Sequence, residues 1–261
     1  MSAIFETDNL CVRYGGDVAL RGVTVSLEQG SIAGIVGESG SGKSTLLRAA
    51  LDALRPGGQV CGGSIRFAGQ DVTAMKPLER RAHISRTASF VSQDPLRAFS
   101  PVRTLGSQFE ETALLREGAT REEARARSLD LLGKLGLSDP ARVLESYVFE
   151  LSGGMAQRAA LGLALLNSPK VIFADEPTSA LDASTQVQVA EELVSANREF
   201  GASLLVVSHN IALASYMAEY LYVMKDGEVV EEGSSRRIMS NPQHPYTRLL
   251  ISSIPQLGGA R

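Results

Sequence analysis

One stretch constrains this chain more than any other: Gly37-Glu38-Ser39-Gly40-Ser41-Gly42-Lys43-Ser44-Thr45, which fits G-x-x-x-x-G-K-[ST]. The apolar run Ile32 to Val36 precedes it, and Leu46, Leu47, Ala50, Leu51 and Leu54 follow with helical spacing. Strand, loop and helix are the context in which this pattern carries meaning. The glycines let the backbone curl until successive N–H groups face one anion, and the helix adds its positive end. The ligand that suits this arrangement is a nucleoside triphosphate. Lys43 is expected to reach its β- and γ-phosphates, and the Ser44 hydroxyl to bind Mg²⁺. A Gly/Ser-rich turn without a ligand is the competing reading, and the flanking strand and helix count against it.

The 261 residues suffice for one large domain, or a core with a subdomain, around a buried interior. Charged residues at 21 % and hydrophobic residues at 44 % are ordinary for a globular protein in water. A formal net charge of −3 gives no electrostatic case for nucleic acid as the main partner. Cys11 and Cys61 lie far apart with no C-x-x-C or histidine companion, so they read as reduced and structural. Met1 to Asp8 is too polar for a signal peptide. The longest apolar runs, Leu161 to Leu166 and Leu204 to Val207, fall far short of the roughly 18–20 residues that span a bilayer. The chain is not expected to cross a membrane by itself.

Asn9 to Tyr14, Val23 to Leu27 and Ser64 to Phe67 read as strands, with a Gly/Pro cluster from Pro56 to Gly63 as a separator. From Thr104 to Tyr147 the pattern is helical, and Ala124, Leu129, Leu131, Leu132 and Leu135 supply an apolar stripe. The last third alternates: strand Val171 to Ala174, helix Ala183 to Phe200, strand Ser203 to Val207, helix Ile211 to Ala218. That is the grammar of a parallel sheet with crossover helices. Asp226-Gly227, between Tyr220 to Met224 and Glu228 to Glu231, predicts a hairpin. The expected architecture is a mostly helical insertion inside an α/β core.

Two further elements point to phosphate chemistry. Val171 to Ala174 ends in Asp175-Glu176, and the carboxyl end of a buried parallel strand is where α/β folds place ligand groups. Asp175 can hold Mg²⁺ directly or through water, while Glu176 can orient and deprotonate a water for attack on the γ-phosphate. Leu151 to Arg158 opens a long helix running to about Leu166. Ser152 is its natural N-cap, and Gly153 and Gly154 allow an anion close to free helix N–H groups. A lone Ser-Gly-Gly would more often be only a helix start.

Taken in order, these motifs resemble the nucleotide-binding subunits of ATP-binding-cassette (ABC) transporters over nearly the whole chain. Besides the phosphate loop (Walker A), the signature-like Leu151 to Arg158 and Asp175-Glu176, the chain has Ser179-Ala180-Leu181-Asp182, similar to the family's D-loop. His209 follows the strand Leu204 to Ser208, Gln93 matches the glutamine at the junction with the helical subdomain, and Tyr14 matches the aromatic that stacks on adenine. Within the family the likeness is greatest to the peptide and nickel importer branch, through Gln93-Asp94-Pro95, Phe99-Ser100-Pro101 and the tail Asn241 to Leu250. Met155 replaces the common glutamine, as is frequent in that branch, and Ala156 stands where a basic or polar residue is usual. Many peptide-importing members continue into a cysteine-rich tail; none is found before Arg261, so no iron–sulfur site is expected and the shorter, nickel-like members fit slightly better.

The resemblance implies a P-loop NTPase core of ABC type, with an N-terminal antiparallel β subdomain and an inserted helical subdomain. Residues 1–92 and 160–261 would form the core, 93–159 the helical subdomain with the signature, and 234–261 the branch's C-terminal extension. It implies ATP and Mg²⁺ as cofactors. Gly37 to Thr45 and Tyr14 would hold the nucleotide, Ser44, Gln93 and Asp175 the metal shell, Glu176 would be the general base, and His209 would stabilise the γ-phosphate and attacking water. Ser152, Gly153 and Gly154 would complete the site of a second ATPase subunit, identical or homologous, in a head-to-tail pair. The implied partners are two transmembrane permease subunits and, indirectly, an extracytoplasmic binding protein, with this chain on the cytoplasmic face of the membrane. Two other classes compete. A non-transport cassette ATPase acting on DNA or ribosomes would need coiled-coil arms, zinc-binding cysteines or a second cassette; a P-loop kinase or switch protein has no use for Leu151 to Arg158. Peptide, nickel and metal chelate all stay open as substrate.

Overall fold

The computed structural model describes residues 3–115, 119–179 and 182–254. The chain opens with strands β1 (Ala3–Tyr14), β2 (Asp17–Glu28) and β3 (Ile32–Val36), then the phosphate loop and helix α1 (Lys43–Ala50). Next come β4 (Gly58–Phe67), β5 (Gln70–Asp71), α2 (Pro77–Thr87) and β6 (Ala88–Val91). The middle is helical: α3 (Leu105–Leu114), α4 (Arg121–Lys134), α5 (Pro140–Glu145) and α6 (Gly153–Leu165). The last third alternates as its sequence predicts, through β7 (Val171–Asp175), α7 (Ala183–Phe200), β8 (Ser203–Ser208), α8 (Ile211–Met217), β9 (Tyr220–Lys225) and β10 (Glu228–Ser234). Helices α9 (Ser235–Ser240) and α10 (Pro245–Ser252) follow.

Two sheets result. A four-stranded antiparallel sheet has the order β2-β1-β4-β5, and a six-stranded sheet the order β10-β9-β3-β8-β7-β6. In the second, β9, β3, β8, β7 and β6 run parallel and β10 closes one edge as the antiparallel arm of the Asp226-Gly227 hairpin. Both turn residues adopt positive φ, 50° and 83°, as the tight primed turn demands. The α/β class with an antiparallel β region and a helical insertion is the observed fold.

The parallel strands are apolar on both faces, and the faces bury different layers. Ile32, Ile172, Ala174, Leu204, Val206 and Leu221 join one core with the residues of α3 to α8. Their alternates Ile35, Phe173, Leu205, Val207 and Met224 join a second core with α1 and the antiparallel sheet. Phe173 is the joint of that second core: its ring centroid lies 5.0 Å from that of Phe5 and 6.1 Å from that of Phe67. Such edge-on aromatic packing adds about 0.5–1.5 kcal/mol per pair beyond the buried area. The first core runs without a break from Phe109, Leu131 and Leu132 of the helical region through Ala160 and Leu161 of α6 to the sheet. No helix among the described residues is long and apolar enough to cross a membrane.

One expectation fails. The Gly/Pro cluster from Pro56 to Gly63 is not a separator, because from Gly58 onward it is strand β4, paired with β1 from Tyr14 to Phe5. β1 carries a bulge between Asp8 and Cys11, and there Gly63 turns to φ 78°. A Cβ on Gly63 would stand 2.4 Å from the carbonyl oxygens of both Asp8 and Asn9. Glycine is in this strand because a bulged partner presses on it, a tertiary cause that local propensity does not carry.

Candidate active site

The parallel register brings four sequence-predicted elements to one edge. Val36, the last residue before the phosphate loop, is opposite Ser208 of β8 and Val223 of β9. Asp175 ends β7 opposite Val207, and β6 lies alongside β7 with Val91 opposite Ala174. The phosphate loop, Asp175-Glu176, His209 and Gln93 therefore all leave the sheet at its carboxyl edge, on neighbouring strands. This is the crevice position that parallel α/β sheets offer a ligand.

A cleft of about 560 Å³ opens there, lined by Ser39, Gly40 and Gly42 to Thr45 together with Glu176. α1 begins at its wall. Gly42 offers no capping side chain and the first turn has no acidic residue, so among the described residues no side-chain cap occupies the leading N–H groups. Lys43 is 4 % exposed, and its ammonium donates to the carbonyls of Gly37 and Glu38, both at 2.7 Å. Burial pushes its pKa down, while the charges of Glu176, Asp175 and Glu38 pull it back up. An arriving phosphate oxygen offers that ammonium an anionic partner in place of two neutral ones.

The Ser44 hydroxyl donates to the Asp175 carboxylate at 2.9 Å, tying the first turn of α1 to the end of β7. Burial raises the Asp175 pKa, and the Ser44 bond and the Arg48 charge oppose the rise. These two oxygens fit a hard divalent ion. Among the described residues no group of three or more His, Cys, Asp or Glu side chains could hold a metal alone. Mg²⁺ commonly takes just one or two protein oxygens and completes its shell with phosphate and water.

Glu176 adopts φ 49°, the left-handed region, which costs a residue with a side chain about 1–2 kcal/mol. Its N–H donates to the Val207 carbonyl at 2.9 Å and so holds the turn. Its carboxylate lies 3.3 Å from Nδ1 of His209. The structure thus brings Lys43, Ser44, Asp175, Glu176 and His209 into one connected set. Ser179 reaches back to the Glu176 carbonyl at 3.2 Å. Asp182 caps α7, its carboxyl held well below the usual range by the hydroxyls of Ser184 and Thr185. Ala180 and Leu181, the centre of the D-loop-like motif, lie outside the described residues.

Other expected residues stand apart. Tyr14 does not line the cleft; a Cβ on Gly58 would come within 2.6 Å of its ring, and its hydroxyl is buried without a hydrogen-bond partner. Gln93 follows β6 and is not in the cleft lining. Ser152 does cap α6, accepting from the Met155 N–H at 3.4 Å, yet Ser152, Gly153 and Gly154 are all exposed and line no part of this cleft. Ala156 is fully buried. The sequence reading missed three arginines in the lining, Arg21, Arg48 and Arg55. Arg48 had a signal, standing one helical turn after Ser44 on α1; Arg21 and Arg55 reach the cleft only through the fold.

Comparison with known proteins finds relatives along most of the chain. The ABC transporter family model fits residues 20–179, and a second model, the oligopeptide/dipeptide transporter C-terminal region, fits residues 230–261. The chain is 36 % identical over 258 residues to the dipeptide transport ATP-binding protein of Escherichia coli, covering 97 % of this chain and 79 % of that one. It is 37 % identical to the oligopeptide transport ATP-binding protein of Streptococcus pneumoniae over 92 % of this chain and 68 % of the other. A solved dimeric ATP-binding cassette in a post-hydrolysis state, bound to ADP and Pi, superposes with a TM-score of 0.75 at 30 % identity, covering 89 % of this chain and 99 % of that one.

Proposed function

Since the chain belongs to the ABC transporter family and is one of its ATPases, we propose that it is the energy-coupling subunit of a peptide importer. The carrying observation is the convergence of Lys43, Ser44, Asp175, Glu176 and His209 at one sheet edge while Ser152 to Gly154 stand exposed elsewhere. The nucleotide's phosphates would lie on Gly37 to Thr45, with Lys43 and the three lining arginines balancing their charge. Ser44 and Asp175, joined by Gln93, would hold Mg²⁺, whose chemistry is to neutralise charge on the phosphates. Glu176 would take a proton from the attacking water, and His209 would orient that water and the γ-phosphate. Tyr14 would stack on adenine.

The exposed helix start at Ser152 supports a site shared with a second ATPase subunit, whose γ-phosphate it would cap. On this reading residues 93–159 act as the helical subdomain that transmits closure of the pair to two transmembrane permease subunits. The extracytoplasmic binding protein selects the substrate, and the chain works peripherally at the cytoplasmic membrane face. The C-terminal match over residues 230–261 favours peptides over nickel or a metal chelate. Uptake of labelled di- and oligopeptides and of nickel by cells carrying Lys43→Ala tests the reading. Peptide uptake is expected to fall to background; unchanged peptide uptake with lost nickel uptake would reassign the substrate.

A further inference from the structure

The C-terminal segment is wired directly to the phosphate loop. The Glu38 N–H donates to the Tyr246 hydroxyl at 2.8 Å, across more than two hundred residues of sequence. Glu38 is also one of the two residues whose carbonyls hold the Lys43 ammonium, so one short loop segment is gripped by a tail hydroxyl on its N–H and by the lysine on its C=O. Glu38 is exposed, and among the described residues nothing else bonds to its side chain or N–H.

The tyrosine is held in place from several directions. It is 6 % exposed, and Nζ of Lys225 lies 5.2 Å above its ring centroid. The buried Glu231 carboxylate in β10 accepts from the N–H groups of Gln243 and His244, at 2.8 and 2.9 Å, immediately before α10. His244 then caps α10 by accepting from the Tyr246 N–H at 3.2 Å, and Arg248 donates to the carbonyls of Pro242 and Gln243. The β9–β10 hairpin braces the same loop beside it, since Gly227 donates to the Ser41 carbonyl at 3.1 Å. The bonds to residues 242–244 and the contact with Lys225 hold the segment that bears the Tyr246 hydroxyl.

We propose that Tyr246 is a positioning residue for ATP binding: its hydroxyl fixes the Glu38 peptide and thereby the curl of the phosphate loop that presents Lys43 and the following N–H groups. The proposal rests on the phosphate-loop reading of the site. It makes the tail around His244-Pro245-Tyr246 a part of the nucleotide site.

The test compares the full wild-type chain with Tyr246→Phe, which keeps the ring under Lys225 and the buried volume but removes the hydroxyl. The Kd for MgATP, the steady-state KM and kcat, the Tm, and hydrogen exchange at the Glu38 amide are measured on both. We expect the Kd and KM to rise about three- to tenfold, the range that one net hydrogen bond supplies, with kcat changed less than twofold and faster exchange at Glu38. A merely structural role would lower Tm and leave Kd and Glu38 exchange alone, and that result overturns the proposal. A second variant, Glu231→Gln, loosens the anchor while leaving Tyr246 intact and is expected to raise Kd in the same direction by a smaller factor. An unchanged Kd in both variants overturns the proposal while the wild-type chain still binds MgATP and Lys43→Ala does not. A wild-type chain that binds no MgATP overturns the site reading and this inference with it.

Discussion

Two helix N-termini in this chain are built from the same small residues and treated in opposite ways. At the phosphate loop the chain itself demands glycine: a Cβ on Gly37 would meet the Met224 carbonyl oxygen at 2.2 Å. At the start of α6 it does not. A Cβ on Gly153 meets nothing within 4 Å, and one on Gly154 meets only an Arg158 nitrogen at 3.6 Å. Neither of these two has positive φ. The first loop is pinned by strand, hairpin and tail, with Gly37, Ser41 and Lys43 buried; the second faces solvent. On the proposed reading, the open space at Gly153 and Gly154 is where a phosphate held by a second subunit would approach.

The largest expected effect tests the chemistry at the first terminus. Glu176→Gln keeps the turn and its Val207 bond and removes the base, so turnover is expected to fall by about 10²–10⁴ while MgATP binding persists. Near-normal turnover in the assembled transporter would take the base role from Glu176. Next comes Gly37→Ala, expected to destabilise the isolated chain by roughly 1–3 kcal/mol because a backbone oxygen must move. A urea midpoint equal to wild type would show that the loop does not demand glycine, and the contrast would collapse.

Tyr14→Ala is expected to weaken ATP binding about tenfold if the ring stacks on adenine, which is worth roughly 1–3 kcal/mol. Tyr14→Phe should be silent or slightly stabilising, since the hydroxyl it removes is buried without a partner. An unchanged Kd in Tyr14→Ala would assign the ring to its packing against Gly58. The smallest effects sharpen the second terminus. Gly154→Ala in the isolated chain should leave stability unchanged or raise it by up to about 1 kcal/mol, as replacing glycine in a helix usually does. Ser152→Arg should leave MgATP binding by the isolated chain within about twofold while abolishing hydrolysis by the assembled pair. Loss of binding by the isolated chain would place Ser152 in its own subunit's site.

Much of the site was legible because it is local. Residues 37–45 contain loop, lysine, hydroxyl and helix start within nine positions, and Asp175-Glu176 sit next to the strand that presents them. Ser152 was legible as a cap for the same reason, the bond closing three residues on at Met155. What escaped were contacts between elements distant in sequence. Arg21 and Arg55 enter the cleft from opposite sides of the phosphate loop in sequence, and Tyr246 reaches Glu38 from the tail.

By itself the sequence determined the period of each element, the phosphate loop and the acidic strand end, because backbone conformation, hydrophobic alternation and capping act over a few residues. It determined the hairpin too, since Asp226-Gly227 supplies both positive φ values. Tertiary structure alone decided that Gly58 to Gly63 belong to a strand, since the bulge that needs Gly63 is in β1. It decided the order of the strands, which brings Asp175 within reach of Ser44 and Glu176 within reach of His209. It also decided that burial lowers the pKa of Lys43 and raises that of Asp175. Desolvation depends on everything that packs around a group, and no short window of sequence contains that.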